Sequence, residues 1–320
     1  MAKRVFMFPG QGSQYIGMGK DFYENEASSK AVFELASKVT GLDVEGLCFE
    51  ENDRINITEY TQICMLAVEA AMFEAIREKG IEFDAAAGLS LGEYGALIAS
   101  GALSLEDAFK VVRQRGIFMQ NAVPEGGGMT AIIGLDPEVI EEVCKNVVSE
   151  GTEALESEFN NLPYVVSVAN YNNPKQTVIT GRKDAVTKAG DICMEKGALK
   201  AVSLNVSGPF HSVLLEGAGN ELYEALADVN IKEIKIPYIA NATAEYVNDP
   251  AEVKELLRKQ VSSSVRWTQT LEKLIKDGFD EFVEIGPGHT LTGFVKKIDR
   301  SLKTVNIETY EDFMTYVQNI

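Results

Sequence analysis

Phe83-Asp84-Ala85-Ala86-Ala87-Gly88-Leu89-Ser90-Leu91-Gly92-Glu93-Tyr94 is the stretch whose reading decides the fold. Residues 83–87 read as a brief apolar strand, and the chain from Gly92 to Ser100, closed by Gly101, reads as a helix. Between them Gly88 to Gly92 fit G-x-S-x-G, the pattern of a nucleophile elbow. A serine on a sharp strand-to-helix turn projects its Oγ outward, and glycines on either side allow the cramped backbone. The start of the helix also favours negative charge developing beside it. A plain turn would give the same five residues, so the flanking strand and helix carry the functional reading.

Working outward, Arg4–Phe8 reads as a strand that ends in the loop Pro9-Gly10-Gln11-Gly12-Ser13-Gln14, where Gly and Pro interrupt both periodicities. Apolar residues at Ile63, Leu66, Ala70 and Phe73 predict a helix over 61–79, with Gly80 at its C-cap. Ser104-Leu105-Glu106-Asp107 has the form of a capping box and opens a helix through Met119. Gly126-Gly127-Gly128 then reads as a hinge. Beyond it come a strand (129–134), a helix (137–149), two strands (164–170 and 176–180), a helix (185–196) and a strand (201–206). That β-α-β-β-α-β order is the split βαβ arrangement of ferredoxin-like units. From Ser207 onward helices alternate with strands again, at 236–240 and 281–285. The fold class is therefore α/β with a parallel sheet: a large subdomain from residues 1–127 and 200–320, interrupted by a small α+β subdomain at 128–199.

Composition narrows the function. The 320 residues carry 30 Lys+Arg against 48 Asp+Glu, a net charge of −18. Such a chain is ill suited to the phosphate backbone of nucleic acid or to an anionic membrane surface. No apolar run approaches the ~18 residues that a membrane span needs. The four apolar residues before Pro9 are too short for a secretory signal. Cys48, Cys64, Cys144 and Cys193 lie far apart without a C-x-x-C pair, which reads as reduced core thiols in a cytoplasmic protein.

A nucleophilic serine needs a base, and the chain has two histidines, His211 and His289. Either is open to a purely structural reading. Arg113 and Arg115 sit two apart on one helix, so they point to different faces, and one of them can fork onto a carboxylate in a cleft. Gln11 either serves an oxyanion or satisfies its own turn. No His/Cys/Asp/Glu cluster has metal-ligand spacing, residues 126–128 lack the Lys-Ser/Thr of a P-loop, and nothing calls for a nucleotide, metal or redox cofactor. Lys296, Lys297, Arg300 and Lys303 form a local basic stretch in an acidic chain, a candidate docking patch. Lys183 and Lys200, on or beside the small subdomain, are the alternative.

Together these residues resemble the malonyl-CoA:acyl carrier protein transacylases over nearly the full length, from Phe8 to Lys297. The likeness runs through Phe8-Pro-Gly-Gln-Gly-Ser-Gln14, Gly88-Leu-Ser-Leu-Gly-Glu-Tyr94, Arg115-Gly116, Asn170-Tyr-Asn172, Pro209-Phe-His211, Gln260 with Val265-Arg-Trp267, and Glu284-Ile-Gly-Pro-Gly288. The resemblance implies an α/β-hydrolase-like core with a ferredoxin-like insert. It implies malonyl-CoA and acyl carrier protein as substrates, in the supply of fatty acid synthesis, with no cofactor. By the same resemblance Ser90 is the nucleophile and His211 its base, and the main-chain carbonyl of Gln260 orients the imidazole. The N–H groups of Gln11 and Leu91 form the oxyanion hole, Arg115 takes the malonate carboxylate, and Asn170 borders the cleft. The chain departs from the family pattern at Leu89, where histidine is usual. It departs again at Ser264, where proline is common and whose absence predicts a looser Gln260 loop. Phe210 resembles the malonyl-selective members.

Overall fold

A computed structural model describes residues 3–151 and 161–320 of the chain. Its ten strands are β1 (Arg4–Phe8), β2 (Ala85–Gly88), β3 (Gly127–Ile133), β4 (Val166–Asn173), β5 (Gln176–Arg182), β6 (Lys200–Ser203), β7 (Tyr238–Ile239), β8 (Tyr246–Val247), β9 (Glu281–Ile285) and β10 (Lys303–Ile307). Six form one sheet in the order β10-β9-β1-β2-β7-β8, parallel except for the short β7–β8 pair at its edge. The remaining four form an antiparallel sheet in the order β4-β5-β3-β6.

Parallel strands covered on both faces read as unbroken apolar runs. In β1 all of Val5 to Phe8 are fully buried. Alternate side chains then supply two cores. Phe6, Phe8 and Ala86 join the core beneath helices Ala27–Thr40, Thr58–Glu78 and Leu105–Ala122. Val5, Met7, Ala85 and Ala87 join the core beneath helices Trp267–Lys276 and Thr290–Ile298. Each large β1 side chain so buried stabilises the fold by roughly 1.5–3 kcal/mol before entropy is counted. The strand predicted at 83–87 begins at Ala85, because Phe83 turns aside to stack on Phe6 at 4.3 Å. The strand predicted at 236–240 shrinks to Tyr238–Ile239, since Pro237 has no N–H to offer a neighbouring strand. At Ser104 only half of the expected capping box forms: its hydroxyl accepts the Asp107 amide, while the Asp107 carboxylate accepts the hydroxyl itself.

The antiparallel sheet realises the β-α-β-β-α-β order, with its fourth, first, third and second strands side by side as in ferredoxin-like units. Its last strand, Lys200–Ser203, lies past the segment 128–199. Ile132, Val168 and Ile179 pack under helices Pro137–Glu150 and Lys183–Glu195, while Met129, Ala131 and Val178 face the larger body. Here the expectation of a looser Gln260 loop is overturned. The Ser264 hydroxyl donates to the Val168 carbonyl at 2.6 Å, a bond that proline has no group to make. Val265 N–H donates to Ala169 O (2.8 Å) and Tyr171 N–H to Val265 O (2.9 Å), so this loop is stitched to β4.

Cys48, Cys64, Cys144 and Cys193 are all buried and unpaired. Burial pushes the Cys48 thiol well up, that of Cys144 up to about 12 and that of Cys193 up to about 11. Among the described residues no helix is long and apolar enough to cross a membrane.

Candidate active site

Strand β2 ends at Gly88, helix Gly92–Ala99 begins four residues later, and Ser90 sits on the turn between them with φ 55°. Such a left-handed conformation in a non-glycine residue stores strain and persists only where its surroundings enforce it. The glycines of the motif are packing requirements. A Cβ on Gly88 would lie 1.9 Å from the Gly92 carbonyl oxygen, and one on Gly92 would lie 2.0 Å from that of Phe8. Asn241, just beyond β7, holds the turn from below. Ser90 N–H donates to its Oδ1 and its Nδ2 donates to the Gly88 carbonyl, both at 2.6 Å. A lone asparagine after a strand carries no sequence signal, and Asn241 escaped the sequence reading.

His211 also has a left-handed backbone, φ 59°, and it presents Nε2 to Ser90 Oγ at 2.8 Å. Its Nδ1 faces the Gln260 main-chain carbonyl at 2.8 Å. A carbonyl only accepts, so Nδ1 carries the proton and Nε2 keeps its lone pair for the serine hydroxyl. Burial, and secondarily the Arg115 charge, push the imidazole down to about 4, so it is neutral at physiological pH. His289 stands exposed at the N-cap of helix Thr290–Ile298.

The structure separates the two arginines. Arg113 pairs with Glu59 at 2.9 Å, away from the serine. Arg115 is fully buried and donates through Nη2 to Ser90 Oγ (3.1 Å) and Gln260 Oε1 (2.9 Å), and through Nη1 to Gln62 Oε1 (2.7 Å). Its guanidinium lies over the Tyr94 ring at 5.5 Å. All these acceptors are neutral, and its buried Nε has no partner among the described residues. An arginine left in this state has donors to spare for an incoming carboxylate.

Gln260 contributes twice. Besides the carbonyl toward His211, its side-chain Nε2 donates to the Ser90 carbonyl (2.8 Å) and to Glu93 Oε2 (2.7 Å). Glu93 is completely buried, and burial pushes it up to about 7 against the opposing pull of those hydrogen bonds. The sequence reading noted Glu93 and the Gln260 side chain only as parts of motifs.

Ser90, His211 and Arg115 open onto a cavity of about 250 Å³ that Gln11, Leu91, Asn170 and Phe210 also line. The Gln11 side chain donates to Thr58 Oγ1 at 3.1 Å, while the main-chain N–H groups of Gln11 and Leu91 meet no acceptor among the described residues. Leu89 lines the same cavity and packs against Gly10 of the first loop. Asn170 reaches the cavity because β4 bridges to Val265 at that residue. The basic stretch at 296–303 lies outside this cavity and is partly spent. Lys296 donates to the Arg300 and Leu302 carbonyls and Lys303 pairs with Glu281, leaving Lys297 and Arg300 exposed. Lys183 and Lys200 are exposed on the small subdomain.

The arrangement can form and cleave an ester on Ser90 while gripping a carboxylate beside it. Residues 5–311 match the acyl transferase domain family. The malonyl CoA-acyl carrier protein transacylase of Bacillus subtilis is 41% identical over 100% of this chain and 98% of its own length. The crystal structure of malonyl CoA-acyl carrier protein transacylase from Clostridium perfringens superposes with TM-score 0.92 at 38% identity, covering 99% of this chain and 97% of that one. A malonyl-transacylase in complex with its type II PKS acyl-carrier protein gives the same TM-score, 0.92, at 35% identity over 100% of both chains. The chain belongs to the acyl transferase domain family and, within it, to the malonyl CoA-acyl carrier protein transacylases.

Proposed function

We propose that the chain transfers malonyl from malonyl-CoA to the phosphopantetheine thiol of acyl carrier protein through a malonyl ester on Ser90, in two half-reactions that supply fatty acid synthesis. Ser90 Oγ attacks the thioester carbonyl while His211 Nε2 takes its proton. The Gln11 and Leu91 N–H groups receive the oxyanion of the tetrahedral intermediate, each such donor being worth about 10²–10³ in rate. Collapse breaks the C–S bond, and the imidazolium returns its proton to the departing CoA sulfur. The carrier thiol then gives its proton to His211 and attacks the ester. The C–O bond breaks, and the proton passes back to Ser90. No metal or organic cofactor enters any step. Asn170 borders the acyl chain's path. We take the setting to be the cytoplasm, a reading that four unpaired thiols support.

The observation that carries this reading is Arg115, a buried guanidinium that touches the nucleophile and has only neutral partners. An uncarboxylated acyl group would leave those donors unused. The structural neighbour bound to an acyl-carrier protein supports the acceptor. The test is intact-mass analysis after mixing with malonyl-CoA. A malonyl adduct mapping to Ser90, discharged onto holo carrier protein, is expected. An adduct that persists in Ser90→Ala, or free malonate in place of malonyl-carrier product, sinks the proposal.

A further inference from the structure

The Gln260 carboxamide lies between two acceptors and one cation. Its Nε2 faces Ser90 O at 2.8 Å and Glu93 Oε2 at 2.7 Å, and its Oε1 faces Arg115 Nη2 at 2.9 Å. An amide has one donor end and one acceptor end, so the groups around it decide which way it points. Turned over, its NH₂ would meet the guanidinium donors and its oxygen would meet two other oxygens. Glu93 Oε2 also accepts the Asn241 N–H at 3.1 Å, and Asn241 Oδ1 in turn accepts the Ser90 N–H. One carboxylate oxygen thus ties the Arg115 side of the site to the backbone of the nucleophile. Glu93 is fully buried, does not line the cavity, and has no role in the steps above.

We propose that Glu93 is a positioning residue that fixes the sense of the Gln260 carboxamide, and through it the place of Arg115, so that it sets selectivity for carboxylated over plain acyl groups without touching either. The inference rests on the reading of Arg115 given under the proposed function. It follows from the acceptor oxygen of Glu93 and not from its charge. A buried anion by itself would compete with malonate for the guanidinium, whereas an oriented amide holds the guanidinium and leaves its remaining donors open.

The experiment compares initial rates of Ser90 acylation by malonyl and acetyl thioesters of the same thiol in the full chain. Glu93→Met, which keeps bulk and removes the acceptor, is expected to lower the malonyl-over-acetyl preference about tenfold, mainly through the malonyl KM. Glu93→Gln, which retains an acceptor oxygen, is expected to restore the preference to within about threefold of the wild type. Gln260→Met keeps the carbonyl that aims His211 and is expected to lose the preference as Glu93→Met does, so it carries the test if Glu93→Met folds poorly. Combining Glu93→Met with Arg115→Ala should add nothing to the loss from Arg115→Ala. Equal losses for both thioesters, a Glu93→Gln as unselective as Glu93→Met, or additive losses in the double variant overturn the inference. A wild-type chain that acylates Ser90 equally well with either thioester overturns the Arg115 reading beneath it.

Discussion

Ser90 and His211 both hold left-handed backbone, at φ 55° and 59°, and their side chains meet at 2.8 Å. Among the described residues only Ala244 shares that non-glycine conformation. The two partners of the proposed proton transfer are therefore also two of the three strained positions of this kind among the described residues. The packing of Gly88 and Gly92, the Asn241 clamp and the Gln260 carbonyl hold them there.

Glycine adopts this conformation freely, so stability and activity should part at the nucleophile. Ser90→Gly is expected to form no acyl-enzyme yet to exceed Ser90→Ala in stability by about 1 kcal/mol. Urea denaturation of the two variants decides; an alanine variant that matches or exceeds the glycine one refutes the strain.

The pH dependence of acylation follows from the depressed imidazole. In the proposed step only neutral His211 can accept the serine proton, and burial pushes its pKa down to about 4. The single-turnover rate should therefore rise with pH through about 4 and be flat from there across the ordinary imidazole range. Folding adds a second effect with a worked sign. The unfolded chain binds a proton at this histidine near 6.5 and the folded chain only near 4, so its contribution to stability is whole above 6.5 and is lost as pH falls from 6.5 toward 4. An acylation midpoint near 6.5 in rapid-quench experiments would contradict the burial account.

Ser264→Ala removes the hydroxyl that donates to the Val168 carbonyl and leaves that acceptor short of a partner. A loss of about 1 kcal/mol is expected. Amide exchange should accelerate at residues 166–171, on the strand this bond secures. Unchanged exchange there would show that the Val265 backbone bonds suffice alone.

Gly92→Ala places a methyl group 2.0 Å from the Phe8 carbonyl oxygen and 2.6 Å from that of Pro9, against backbone that cannot swing aside as a side chain would. The expected cost is at least ~3 kcal/mol, visible as a fall in melting temperature and in soluble yield. A variant as stable as the wild type would mean that helix Gly92–Ala99 can shift away from β1.

Much of this was legible in the chain. The elbow at Ser90 and the six-element order of the small subdomain rest on local pattern, and local pattern survives folding. The residues alone, by contrast, left His211 and His289 open, and only the family resemblance favoured His211, which the structure brings to Ser90. Arg115 was legible only in part: its two-residue offset from Arg113 says that they face apart, but which face meets the cleft depends on the packing of helix Leu105–Ala122. Asn241, Glu93 and the Gln260 side chain were silent because their partners lie 145 to 170 residues away along the chain. β2 is three alanines and a glycine, a strand because it lies between β1 and β7 and not because of its propensities. At Ser264 the missing proline was read as lost stiffness, when the hydroxyl in its place makes a bond across to another element.

The buried cysteines bear on the chemistry in a way that their distance from Ser90 conceals. On the proposed function the malonyl group arrives on the sulfur of CoA and leaves on that of the carrier, and an accessible thiolate on the protein would seize it by simple exchange. Here all four sulfurs are shut inside, and at Cys48, Cys144 and Cys193 the proton is held more tightly than usual. On the proposed mechanism the cargo then pauses only on oxygen, at one address, with no protein thiol placed to siphon it away.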